Sequence, residues 1–155
     1  MNPRADTVTL ASYMEHRGFD ISSAGSILRR LFVESWFEPG LHRFWRAWNP
    51  IYGYALWRLY VALGGRRRPV LATLVAFAAC GFFAHDLVTL AITGKPTLAI
   101  TNSFLFLGAL TLASRVFEAK LRQDRLPHLL NFAINLLLIG SGLVAGPVVW
   151  AFLHR

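Results

Sequence analysis

Three long apolar stretches decide what this chain can fold into. They cover residues 70–93, 98–117 and 129–153, and the third carries no ionisable side chain. A helix of about 20 apolar residues spans the hydrocarbon core of a bilayer. In that core, backbone polar groups are satisfied only within helices or closed barrels. The sequence therefore predicts an all-α integral membrane protein with about three transmembrane helices.

The charged residues are distributed unevenly along the chain. Lysine and arginine number 16 against 8 aspartates and glutamates, which gives a formal net charge of +8. Ten of the basic residues precede Pro69, whereas the loop 94–97 carries only Lys95. Because basic residues favour the cytoplasmic side of a membrane, we expect a cytoplasmic N-terminus and a bacterial inner membrane. Basic residues also attract anionic headgroups, so membrane lipids rather than nucleic acid are the expected partners.

The start of the first apolar stretch divides the chain into two regions. Residues 1–68 are predicted to form amphipathic helices at the membrane interface or in the cytoplasm. Residues 69–155 form the transmembrane region, and the two regions belong to a single membrane domain. In the first region, Ser22 and Ser23 predict the cap of a helix that extends to Glu38.

Asn49 precedes Pro50 within a second amphipathic stretch, which runs from about residue 41 to residue 63. Asparagine followed by proline is typical of a helix N-terminus, so a capping role explains this pair. Trp45 and Trp48 lie just upstream, and an amide among interfacial aromatic residues is equally suited to hold an acyl carbonyl. Both interpretations stay open.

His85 and Asp86 form an ionisable pair inside the first apolar stretch. Ionisable residues in a membrane helix are costly and are functional candidates for that reason. Neutral imidazole accepts a proton from a hydroxyl, so His85 is a candidate general base; a hydrogen bond across a helix interface is the alternative. Asp86 points about 100° away from His85 on a helix. It either orients a neighbouring group or, as we favour, lies solvated near the outer end of the helix.

Small residues predict close contacts between helices. Asn131 and Asn135 share one face of the third stretch, which favours helix packing over ligand binding. We expect no metal site, because no pair of histidines has metal-ligand spacing on one helix face. The small residues that are expected to mediate association with a second chain are Ala78, Gly81, Gly142 and Gly146.

Three features occur in a fixed order: FWRAWN at 44–49, LYVALGG at 59–65 and His85 in the apolar stretch that follows. Together they resemble the core of the membrane-bound O-acyltransferase (MBOAT) family, over residues 41–90. In that family an aromatic FW-x-x-W segment leads to an L-Y-x-P-L-G-G-like end. A membrane helix then carries the histidine that is held to be catalytic. This chain has Ala62 where the family has proline.

The resemblance implies transfer of an acyl group from a thioester or lipid donor to a hydroxyl of a lipid or glycan. His85 would be the general base, and Asn49 would position the donor or polarise its carbonyl. Trp45, Trp48 and Arg58 would contact the substrate, and Arg58 would meet the phosphates of the donor. The donor would be an acyl-CoA, an acyl carrier protein or a lipid, with no further cofactor.

The resemblance also bears on the partners of the chain. Family members carry further helices before this core, and those helices help to enclose the acyl tunnel. We therefore expect a homo-oligomer or a partner subunit to complete the site. The alternative is a non-catalytic accessory or structural subunit of a membrane complex, in which the core serves as a docking surface.

Overall fold

The structure, a computed structural model, describes residues 8–153 apart from the side chains of Ala119 and Leu121. It is 79% helical, and residues 8–153 contain no strand. Two 3-10 turns cover Glu34–Phe37 and Gln123–Arg125, and a π-helical segment covers Phe82–Asp86. The α-helices of this region are α1 (Leu10–Glu15), α2 (Ala24–Phe32), α3 (Leu41–Ala47), α4 (Pro50–Ala62), α5 (Pro69–Gly81), α6 (Leu87–Thr93), α7 (Ala99–Leu121) and α8 (His128–Leu153).

Three helical stretches are long and apolar enough to cross a membrane. They are Pro69–Thr93, Ala99–Glu118 and His128–Leu153, and the first of them joins α5, the π segment and α6 without a break. The predicted spans are therefore confirmed to within a few residues. The fold defines the class of the protein: an all-α membrane protein with three candidate transmembrane helices.

The central helix α7 packs against both α5 and α8. Gly81 of α5 lies against the backbone of Ile100 and Thr101, and Gly146 of α8 lies against Ala99 and Ser103. The Ser103 hydroxyl donates to the carbonyl of Leu143 at 3.0 Å, which adds a hydrogen bond between α7 and α8. Small residues let helix backbones approach this closely.

This packing has a consequence for the predicted association. The faces of Gly81, Gly142 and Gly146 are covered by α7 within the chain. They are therefore unavailable to a second chain, in contrast to the prediction for these three glycines.

The N-terminal helices pack onto the membrane helices. Leu41 and Phe44 of α3 are fully buried in one cluster with Leu107 of α7 and Ile139 of α8. The Asn135 side-chain amide donates to the backbone carbonyls of Trp36 and Glu38, at 3.0 and 2.9 Å. These contacts fix the segment before α3 against α8, which confirms packing as the role of Asn135.

Two local predictions have different outcomes. Ser23 caps α2, as predicted, with its side chain accepting from the amide of Ser26. The prediction that this helix extends to Glu38 was wrong. Helix α2 ends at Phe32, and a 3-10 turn follows. The Ser35 hydroxyl donates locally to the Leu31 carbonyl at 2.6 Å. Asn135 donates to the carbonyls of Trp36 and Glu38 from α8, so side-chain hydrogen bonds replace helical ones there.

The three membrane helices alternate in direction, since each is joined to the next by a short connection. The start of α5, the end of α7 and the start of α8 therefore lie at one end of the bundle. We call it the basic end, because it carries Arg66, Arg67, Arg68, Arg115, Lys120, Arg122 and Arg125. The opposite end carries Lys95 in the turn between α6 and α7.

Candidate functional site

A cavity of about 610 Å³ lies between the N-terminal helices and the membrane helices. We call it the aromatic cavity, after the tryptophan, tyrosine and phenylalanine side chains in its wall. Trp45, Trp48, Asn49 and His85, all predicted to form the site, line this single cavity. Its volume falls within the range of about 300–1,000 Å³ that is typical of ligand pockets.

Arg58, the fifth predicted site residue, does not line the aromatic cavity. Helix α4 presents Gly53, Trp57 and Tyr60 to the cavity, and this spacing of three and four residues marks one helix face. Arg58 is exposed on another face, and its guanidinium carbon lies 6.0 Å from the centroid of the Tyr54 ring. The prediction that Arg58 contacts the substrate in this cavity therefore lacks structural support.

His85 reaches the cavity from the π-helical segment. A π segment adds a residue to the helical turn and is frequent at functional sites. The imidazole stacks on the ring of Phe104, with 5.2 Å between the centroids and 28° between the planes. Within residues 8–153 its nitrogens have no hydrogen-bond partner, so they are available to a ligand.

Asp86 does not behave as predicted. Its side chain is only 2% exposed, whereas a solvated position at the end of the helix was favoured. The carboxylate accepts from the backbone amides of Ile100 and Thr101 at 3.2 and 2.7 Å, and from the Thr101 hydroxyl at 2.6 Å. These amides belong to the first turn of α7, where helix N–H groups lack internal partners. Asp86 thus caps α7 from the neighbouring helix, and His85 is left facing the cavity.

Trp45 is held in place by a hydrogen bond to α7. Its indole N–H donates to the Thr111 hydroxyl at 2.9 Å, and that hydroxyl donates to the Leu107 carbonyl at 2.7 Å. The Trp45 ring contacts Phe77 edge-on, with centroids 5.4 Å apart. Trp48 stacks on Phe44 at 5.5 Å, so both tryptophans form a rigid part of the wall.

Asn49 is the N-cap of α4, as the sequence predicted. Its side-chain oxygen accepts from the Tyr52 amide at 3.3 Å, and Pro50 follows as the first helical residue. Its backbone is left-handed, with a φ of 41°. The side-chain nitrogen has no partner within the described part of the chain, so it remains free to donate into the cavity.

Sequence reasoning missed Tyr13 and Arg17, which also line the aromatic cavity. Tyr13 is buried and packs on Tyr54 and Trp57, with centroids 5.5 and 5.6 Å away. Burial raises the pKa of the Tyr13 phenol. Helix α1 is only six residues long, and such a short segment offers no periodic pattern from which its packing could be read.

The cavity has two chemically different ends. Arg115 lies towards the end of α7, whereas Phe104 and the His85 ring that stacks on it lie towards its start. Arg115 follows Phe104 by eleven residues, which corresponds to about 16 Å along a helix. Arg17 and Arg46 also lie in the wall. Among residues 8–153, no cluster of histidine, cysteine, aspartate or glutamate side chains is suited to hold a metal ion.

Comparison of the chain with protein-family models, with curated proteins and with solved structures gave no match. The resemblance to the MBOAT core therefore depends on the motif residues and on where they lie in the fold.

Proposed function

We propose that this protein transfers an acyl group to a hydroxyl acceptor, with His85 as the general base. One observation carries the proposal. His85 follows Asn49 by 36 residues in the sequence, yet Trp45, Trp48, Asn49 and His85 line the same aromatic cavity. All four are among the residues that match the MBOAT core.

The reaction follows from the chemistry of these groups. The neutral imidazole of His85 removes the proton of the acceptor hydroxyl, and the oxygen attacks the acyl carbonyl carbon. The bond between the acyl carbon and the sulfur or oxygen of the donor breaks, and the imidazolium returns the proton to that leaving group. General-base help of this kind accelerates a reaction by about 10²–10⁴-fold.

Asn49 and the aromatic wall position the donor. The free side-chain nitrogen of Asn49 donates to the carbonyl oxygen, on which negative charge develops during attack. The rings of Trp45 and Phe77 bind the apolar acyl chain. A thioester such as an acyl-CoA or an acyl carrier protein, or a lipid ester, fits this arrangement.

A partner completes the site in this proposal. The aromatic cavity is only partly enclosed, and catalysis benefits from the exclusion of water. A second copy of the chain, a partner subunit or membrane lipids would close the open side. The proposal also includes a bacterial inner membrane with the N-terminus on the cytoplasmic side, which the charge of the basic end supports.

A non-catalytic accessory subunit is the second candidate. The stacking of His85 on Phe104 favours it, because a packed imidazole contributes to helix association without any chemistry. In that case the motif residues form a docking surface for another membrane protein.

Measurement of acylated product and of complex yield in the same membranes separates the two candidates. His85→Ala should reduce product by about 10²–10⁴-fold and leave expression and complex yield near normal. Phe83→Ala is the matched control, since Phe83 lies on the same π segment but is 65% exposed outside the cavity. Unchanged product in His85→Ala would end the enzyme proposal, and loss of the complex would favour the accessory subunit.

A further inference from the structure

A second, smaller cavity adjoins the aromatic cavity at the basic end. Its volume is about 170 Å³, and Arg17, Arg30, Arg43 and Arg46 lie in its wall beside His16 and Glu38. We call it the arginine pocket. Arg17 and Arg46 line both cavities, so the two cavities are neighbours.

The positive charge of the arginine pocket is largely unpaired. Its single acidic side chain, Glu38, is bound by Arg30 at 2.6 Å, and Arg30 also contacts Glu34 at 3.4 Å. Arg17, Arg43 and Arg46 have no ion pair within residues 8–153. Burial lowers the pKa of the Arg17 guanidinium, the nearby Tyr13 raises it, and the charge of Arg46 lowers it. Three guanidinium groups that lack an acidic partner in this part of the chain lie around one pocket, which favours an anionic ligand.

The surroundings of the pocket indicate where that anion comes from. Helix α2, which carries Arg30, exposes Leu28 and Phe32, with 54% and 59% of their surfaces accessible. A helix with exposed apolar and basic side chains of this kind lies in the headgroup region of a membrane. The arginine pocket then lies at the level of lipid phosphates.

We propose that the arginine pocket binds the phosphate of a membrane phospholipid whose acyl chain enters the aromatic cavity. Arginine is well suited to this ligand, because its planar guanidinium donates two parallel hydrogen bonds to phosphate oxygens. The pocket is smaller than the about 300–1,000 Å³ of sites that enclose a whole ligand, so it accommodates a headgroup phosphate rather than a nucleotide.

This lipid is distinct from the acyl donor of the proposed function. In a phospholipid the ester carbonyl is only a few bonds from the phosphate, whereas His85 lines the aromatic cavity and not the arginine pocket. A phosphate held by Arg17 and Arg46 thus keeps the ester away from His85. The bound phospholipid is a resident ligand. Its acyl chain occupies the aromatic cavity, so it competes there with an acyl donor.

Binding to the purified full chain in neutral detergent tests the proposal without any turnover. The probes are lysophosphatidic acid and the monoacylglycerol with the same acyl chain, compared by native mass spectrometry. Replacement of Arg17 and Arg46 by glutamine should weaken lysophosphatidic acid binding by about ten- to a hundredfold, as expected for lost charged hydrogen bonds. Monoacylglycerol binding should not change. Arg46→Gln alone removes an exposed side chain without a hydrogen-bond partner in the described part of the chain, so it provides the test if the double variant does not fold.

One control variant and two ligand comparisons can overturn the proposal. The double variant Arg66→Gln with Arg67→Gln removes two exposed charges outside both cavities, and an equal loss of binding there would overturn the proposal in favour of diffuse attraction. Equal affinity of the wild-type chain for both lipids would also overturn it. So would binding of inorganic phosphate or of palmitoyl-CoA in preference to lysophosphatidic acid, which would assign the pocket to a free phosphate or to a thioester donor.

His85→Gln separates this proposal from the proposed function. That variant should bind lysophosphatidic acid as tightly as the wild-type chain does, even where acyl transfer is lost. Lipid binding by a wild-type chain that shows no acyl transfer would reject the enzyme and support the lipid site.

Discussion

The Asp86 carboxylate accepts two hydrogen bonds from Thr101, one from its backbone amide at 2.7 Å and one from its hydroxyl at 2.6 Å. This pair joins the first membrane helix to the second directly beside His85. The orientation of the His85 side chain therefore depends on the hydrogen bonds between Asp86 and Thr101.

Asp86→Asn should destabilise the protein and reduce acyl transfer together. The asparagine side chain accepts hydrogen bonds only through its oxygen, because its nitrogen is a donor. A buried N–H of α7 therefore loses its partner, at a cost of about 1–3 kcal/mol. Thermal unfolding in detergent measures this loss. Asp124→Asn, at an exposed position in the next connection, is the control. A melting temperature equal to that of the wild-type chain would show that the capping contact contributes nothing to stability.

Gly146→Ala should disturb the packing of α8 on α7. An added methyl group would collide with the backbone of Ala99 and Ser103, and overpacking of this kind costs about 1–3 kcal/mol. Gly140 lies on the same helix with no atom near its missing side chain. Gly140→Ala should therefore be neutral or stabilise the helix by about 0.5–1 kcal/mol. The prediction fails if unfolding experiments give the two variants equal stability.

Asn49→Asp tests whether the side-chain nitrogen of Asn49 has a role beyond capping. Aspartate keeps an oxygen for the Tyr52 amide and caps as well as asparagine does, so stability should be unchanged. It has no N–H to offer a carbonyl, and acyl transfer should fall. Asn49→Ala should lower both, since loss of the cap costs about 1 kcal/mol. Acyl-transfer activity equal to that of the wild-type chain in Asn49→Asp would show that Asn49 has only a capping role.

The basic end should face the cytoplasm, because lysine and arginine favour that side. A cysteine introduced at Thr97, in the turn between α6 and α7, should be labelled by an impermeant reagent added to intact cells. Cysteines introduced at Arg67 and Arg122 should be protected until the membrane is opened. External labelling at Arg67 would reverse the orientation.

The sequence predicted the membrane helices well because the bilayer imposes a simple rule of length and apolarity. The sequence also predicted that Trp45, Trp48, Asn49 and His85 belong to one site, because of their resemblance to the ordered MBOAT motifs, and the four residues line one cavity. Capping by Asn49 was predictable for a different reason, as it is a local interaction between neighbouring residues.

The remaining features depend on contacts between distant residues. Burial of Asp86 requires that the turn after α6 bring the start of α7 alongside, which no local pattern reveals. The 3-10 turn at Glu34–Phe37 is stabilised by the hydrogen bonds that Asn135 donates to two backbone carbonyls. Arg17 reaches the two cavities through the packing of a helix too short to be recognised from its periodicity.

The hydrogen bonds from Asn135 to the carbonyls of Trp36 and Glu38 also set an order of events during biosynthesis. The chain leaves the ribosome N-terminus first, so Trp36 and Trp45 emerge well before their partners on α8 and α7. Until α8 has been inserted, Trp36 lacks its contacts with Phe132 and Asn135. A chain halted before α8 would therefore leave Trp36 without these partners, although every residue that lines the aromatic cavity precedes α8.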